Sequence, residues 1–162
     1  MNETLGVDVG GVLISRANDT ADTSFFRTRY LEAVAVCGAF ETVARLARNR
    51  FGGRLVVISK CGPRTEERTK EWLAYHHAYD ALGITPHAVH FCRQRQEKAP
   101  LCEALGVTHF VDDKLEVLGY LATVPHRFLF DPVEAEVQKF KQHLPFVTRV
   151  ANWKQLEELL IA

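Results

Sequence analysis

The chain repeats one pattern: a strand-length apolar run, one or two polar residues, then a helix-like stretch. Residues 4–9, 55–58, 88–92, 109–111 and 127–130 are runs of this kind, and 146–150 is a shorter candidate. Leu55, Val56, Val57 and Ile58 follow one another without polar alternation. That is how a strand covered on both faces reads. Strands alternating with helices predict a parallel sheet with helices packed on either side. The expected fold class is therefore α/β: a Rossmann-like three-layer sandwich around a central parallel sheet.

Local signals place the helices. Phe40, Val43, Ala44 and Ala47 keep the i, i+3, i+4, i+7 stripe of a helix that should stop at Gly52 and Gly53. Pro63 can open the next helix, where its missing N–H costs nothing. Glu66 and Lys70 stand in the favourable i, i+4 order along it, with Trp72, Leu73 and His76 on its inner face. Pro100 opens a helix closed by Gly106, and another runs from the Asp112-Asp113 pair to about Leu121. Asn152 caps the last helix, with Gln155 as the return half of a capping box. Between Leu13 and Cys37 the pattern lapses, and NDTADTS at 18–24 is dense in turn formers. The whole chain, 1–162, reads as a single domain with a short irregular flap at about 13–37.

Composition narrows the function classes. With 162 residues, 47% of them hydrophobic, the chain is long enough for a core of its own. Twenty basic and 20 acidic residues leave no net charge, which argues against a nucleic-acid partner. No stretch approaches the ~20 apolar residues of a membrane span. Asn2 and Glu3 stand where a secretory leader would carry basic residues, and Asp8 breaks the apolar run behind them. Cys37, Cys61, Cys92 and Cys102 form no C-x-x-C pair. They read as reduced thiols of a cytoplasmic protein, without zinc.

In an open parallel sheet, ligands sit beyond the carboxyl ends of the strands. Asp8 follows the first apolar run, Ser59 and Lys60 the second, Glu97 and Lys98 the third, and Asp112 with Asp113 the fourth. Carboxylates, a hydroxyl and an amine are thus expected along one edge. The oxygens of Asp8, Asp112 and Asp113 suit a hard cation such as Mg²⁺. Ser59 and Lys98 could hold phosphoryl oxygens. Asp8 could be a nucleophile, because carboxylates form acyl phosphates. The glycines after it would let backbone N–H groups come close to a phosphoryl group.

These residues resemble the four motifs of the haloacid dehalogenase (HAD) superfamily of aspartate-nucleophile phosphatases and phosphotransferases. The first motif, D-x-D-G-T/V after an apolar strand, is similar to Asp8-Val9-Gly10-Gly11-Val12. The second, a strand ending in Ser or Thr, falls on Ser59. The third, a Lys before a helix, falls on Lys98. The fourth, a strand ending in paired acids, falls on Asp112 and Asp113. Gly38-Ala39-Phe40-Glu41 is similar to the family's lead-in to the helix before the second strand. The match covers roughly 4 to 130. The resemblance implies catalytic roles for Asp8 and Lys98, and substrate contacts from Gly11, Ser59, Lys60 and Lys98. It implies a Mg²⁺ site from Asp8, the Gly10 carbonyl, Asp112 and Asp113.

One position departs from the motif. The family's second aspartate, which protonates the leaving group and later activates water, is Gly10 here. Such acid–base help is typically worth ~10²–10⁴-fold. The departure implies a substrate with a good leaving group, such as an acyl, anhydride or aryl phosphate, or an acylated Asp8 that turns over slowly. It also keeps open a catalytically silent domain that binds a phospho-ligand or a protein partner. Phosphonate-cleaving relatives need a lysine from a cap after the first motif, and no lysine precedes Lys60. The segment 13–37 is too short and turn-rich for a dehalogenase-type helical cap. A capless site favours a large phosphorylated substrate, or a lid supplied by a second copy in a homo-oligomer. Cys61, beside Lys60, reads as an ordinary loop cysteine. His76, His77, His87 and His90 show no ligand spacing.

Overall fold

A computed structural model describes residues 2–16 and 29–161 of the chain. The middle of the expected flap, 17–28, lies outside the described residues. Its two ends are tied together: Ile14 bridges both Gly10 and Ala35, and Val36 N–H donates to the Leu13 carbonyl.

Among the described residues, six strands form one sheet, and all five neighbouring pairs are parallel. They are β1 (Leu5–Val7), β2 (Leu55–Lys60), β3 (Val89–Cys92), β4 (His109–Asp112), β5 (His126–Phe130) and β6 (Thr148–Val150). Their order is β3-β2-β1-β4-β5-β6. The chain steps outward from β1 to β3, returns to the middle, and steps outward the other way from β4. The reversal lies between β1 and β4, which pair with Leu5 opposite His109 and Val7 opposite Val111. A crevice at the carboxyl end of such a reversal is where this architecture takes its ligands.

Among the described residues, seven helices, α1 (Ala39–Asn49), α2 (Pro63–Tyr75), α3 (Ala78–Leu82), α4 (Lys98–Ala104), α5 (Leu115–Tyr120), α6 (Glu134–Lys139) and α7 (Trp153–Ile161), cover both faces. Successive strand residues point to opposite faces, so each strand feeds two cores. Val57, Val111 and Phe128 pack with Val43 and Leu46 of α1, Trp72 of α2, Leu82 of α3 and Trp153 of α7. Ile58, Phe110 and Leu129 pack with Cys102 of α4, Leu118 of α5 and Val137 of α6. Gly6 is needed on this second face, since a Cβ there would lie 2.6 Å from the Phe110 ring.

The helix signals act as their chemistry requires. Glu66 and Lys70 pair at 3.1 Å along α2, which Pro63 opens. Asn152 Oδ1 accepts the Gln155 N–H at 2.8 Å, although Gln155 returns to the N–H of Ala151 and not to Asn152 itself. One start differs: α4 opens at Lys98, two residues before Pro100, behind a 3₁₀ turn at Arg95–Glu97. That turn carries its own capping box between Gln94 and Glu97. β1 is shorter than the apolar run 4–9, because Val9 already accepts turn hydrogen bonds from Val12, Leu13 and Ile14.

Candidate active site

Asp8 is the first residue beyond β1, and its N–H still donates to the Val111 carbonyl at 3.0 Å. The ladder thus carries Asp8 alongside Asp112, the last residue of β4. Lys98, at the start of α4, reaches both: Nζ lies 2.9 Å from Asp8 Oδ1 and 2.9 Å from Asp112 Oδ2. The ammonium is buried and lies 5.4 Å from the centroid of the Phe110 ring, the one accommodated by Gly6. The second oxygen of Asp112 accepts the Lys114 N–H at 2.9 Å. Carboxylate oxygens of Asp8, Asp112 and Asp113 all lie within 4.8 Å of one another. Gly11 sits in the left-handed region at φ 77°, and a Cβ there would come within 2.5 Å of Asp113 Oδ2. The tight turn therefore places backbone against the third carboxylate, which only glycine permits without strain. The Gly11 N–H donates to the Ile14 carbonyl at 2.8 Å, so the turn itself uses that donor.

No family model matches the sequence, and no curated protein matches it. Among solved structures, the chain is similar to the D,D-heptose 1,7-bisphosphate phosphatase of Burkholderia thailandensis. The TM-score is 0.62 and the identity 16%, over 99% of each chain. It is also similar to the deoxy-D-mannose-octulosonate 8-phosphate phosphatase of Haemophilus influenzae in its cobalt-bound form. There the TM-score is 0.57 and the identity 17%, over 99% of this chain and 88% of that one. The chain shares the fold of these two proteins.

Within this fold the charges of the site are unequally exposed. Asp112 is fully buried and Asp113 is 3% exposed, while Asp8 is 8% exposed. Burial, then the neighbouring Asp8 charge, pushes the Asp112 carboxyl up to about 6. Burial, Asp8 and Asp112 together hold Asp113 well above the usual carboxylate range. Burial alone would lower Lys98, but the charges of Asp112 and Asp8 outweigh it and keep the ammonium protonated. Three crowded carboxylates facing one buried ammonium form an anionic cluster that a hard cation would relieve. The donors are all oxygen, which fits Mg²⁺.

Ser59 is buried at the end of β2, on the same edge and one strand over from Asp8. Lys60, the last residue of β2, is exposed. Burial pushes the neighbouring Cys61 thiol up, against a hydrogen bond with Ser59, so it is not an activated thiol. His76 stacks on Trp72 at 4.1 Å and lies 2.8 Å from the Leu31 carbonyl, as a packed histidine. Gly10 is exposed, and a Cβ built on it meets nothing within 4 Å. The position that lacks the family's second aspartate thus has room for one.

Sequence reasoning missed one charged partner. Arg16 Nη1 lies 3.0 Å from Asp113 Oδ2, and its Nη2 donates to the Asp131 carbonyl at 2.6 Å. Asp131 itself has a left-handed φ of 38° just beyond β5. Arg16 belongs to the stretch without periodicity, and nothing in its spacing announces the contact.

Proposed function

We propose that the chain is a Mg²⁺-dependent phosphohydrolase or phosphotransferase with Asp8 as nucleophile. The observation that carries this reading is the division of labour among the three carboxylates. Both oxygens of Asp112 are engaged, Asp113 is buried against Arg16, and Asp8, the least buried of the three, keeps one oxygen, Oδ2, outside the Lys98 contact. Both structures to which the fold is similar are phosphatases by name, and one of them is a cobalt-bound form.

Asp8, Asp112, Asp113 and the Gly10 carbonyl would hold the cation, which supplies positive charge against phosphoryl oxygens when bound. The free oxygen of Asp8 attacks phosphorus. The bond from phosphorus to the leaving oxygen breaks, and that oxygen departs with the electron pair. Lys98 fixes the other oxygen of Asp8 and balances charge at Asp112. Ser59 holds a phosphoryl oxygen from the next strand, with Lys98 and Lys60 contributing around it, while the Gly11 N–H expected there is taken by the Ile14 carbonyl. Water then attacks the aspartyl phosphate, releasing inorganic phosphate, a proton and the regenerated carboxylate. With Gly10 in place of an acid, no side chain at that position can protonate the leaving group. The reading therefore favours weakly basic leaving groups, as in acyl, anhydride or aryl phosphates, on a small or macromolecular substrate. A homo-oligomer lid and a cytoplasmic setting fit this reading.

The test is turnover of acyl and aryl phosphates with and without Mg²⁺, beside Asp8→Asn. Metal-dependent release of phosphate that vanishes in the variant is the expected result. Gly10 also favours a second reading, a silent domain that binds phospho-ligands. Tight binding of phosphate mimics with no turnover of any reactive phosphate selects that one.

A further inference from the structure

The opposite edge of the sheet holds a second cluster of ligating groups. Glu3 precedes β1, His109 opens β4 and His126 opens β5, so three adjacent strands bring them together at their amino ends. One donor atom from each lies within 4.8 Å of the others. His109 and His126 are register partners, and their rings stack at 4.3 Å. We propose that Glu3, His109 and His126 form a second divalent-metal site, selective for a nitrogen-seeking ion of the zinc class, that clamps the amino ends of three strands.

Hydrogen bonding on its far side fixes the His109 ring. The Thr108 hydroxyl accepts the Thr4 N–H at 3.0 Å and lies 2.9 Å from His109 Nδ1. The other ring nitrogen, Nε2, lies 3.7 Å from Glu3 Oε2. Holding the far nitrogen through a hydrogen bond is how metal-bound histidines are commonly oriented.

His109 is only 2% exposed. Arg50 grips both oxygens of Glu3, with Nη2 at 3.2 Å from Oε2. That fixes the carboxylate and offsets its charge, so the two imidazoles become the principal donors. Nitrogen donors favour zinc, copper and nickel over magnesium. His126 is exposed at the first position of β5. Three protein donors would leave a fourth position on such an ion to water.

Because the crevice takes a hard ion by oxygen and this cluster a softer one by nitrogen, the two can be read separately. The experiment titrates metal-free full-length protein, saturated with Mg²⁺, with Zn²⁺ by calorimetry. The ring-proton NMR signals of the histidines are followed in parallel. One equivalent should bind, shifting the His109 and His126 signals. His126→Ala should weaken that binding by at least ~10-fold while leaving Mg²⁺-dependent turnover and the melting curve of the metal-free protein unchanged. Glu3→Gln should weaken it with the same stoichiometry. No Zn²⁺ binding, equal binding by His126→Ala, or binding lost instead in Asp8→Asn would overturn the proposal.

Discussion

At the residue scale, the contrast is between what stands at position 10 and what surrounds it. A side chain at Gly10 would meet no neighbour, so Gly10→Asp should fold and supply the missing proton donor. Turnover of an unactivated alkyl phosphate should rise by about 10²–10⁴-fold, measured as phosphate release at saturating Mg²⁺. Unchanged turnover would mean that proton transfer is not what limits the reaction. Lys98 is the opposite case, a charge with no slack. Lys98→Met would leave Asp8 and Asp112 crowded with no ammonium between them. Loss of one partner from a buried ion network costs about 3–5 kcal/mol, which a urea unfolding curve would show as a lowered midpoint. Asp8, Ser59, Lys98 and Asp112 could be found from the sequence because each closes an apolar run or opens a helix. Arg16 could not, because it reaches Asp113 across 97 positions from a stretch with no repeating pattern. Nor could the Glu3–His109–His126 cluster, since only strand order makes those three neighbours.

At the scale of elements, length decides what periodicity can announce. α1, with 11 residues, and α2, with 13, are long enough to show a stripe, and both stand near where the stripe and the proline put them. α3 has five residues and α6 six, less than two turns each, so neither repeats its buried face. Backbone conformation sets α3: His77 at its start and Gly83 at its end are both left-handed. The early start of α4 puts Lys98 in the helix's first position rather than in a loop before it. Helix caps are the elements whose contribution can be isolated from the site. Asn152→Ala removes the acceptor for the Gln155 N–H at α7, far from the carboxylates in the chain. It should cost ~1 kcal/mol in denaturant unfolding and leave phosphate turnover unchanged.

For the whole molecule, the parallel order β3-β2-β1-β4-β5-β6 does two things at once. It puts the reversal of strand order between β1 and β4, beside Asp8 and Asp112, and it aligns the amino ends of β1, β4 and β5 at the other edge. The sheet's existence could be inferred from the alternation of apolar runs and helices, but its order could not, since order is a property of crossovers. Charge at the two edges responds to pH in opposite senses. His109 is held neutral in the fold, at about 4, while an unfolded chain titrates near 6.5. The unfolded state therefore binds more protons between these values, and stability falls as pH drops through that window. His109→Gln should flatten that slope in urea midpoints taken from neutral pH down to about 4. Asp112, raised to about 6, is destabilised by its own ionisation as pH rises through that value. Bound Mg²⁺ should remove that penalty. The central claim is that Asp8 accepts a phosphoryl group, and slow release through lack of an acid at Gly10 should let the adduct accumulate. The most direct measurement is acid-quench mass mapping of the protein after brief exposure to acetyl phosphate. The account predicts a Mg²⁺-dependent phosphoryl adduct on the peptide carrying Asp8, absent in Asp8→Asn. Phosphate release that persists in Asp8→Asn, or an adduct carried by another residue, would contradict it.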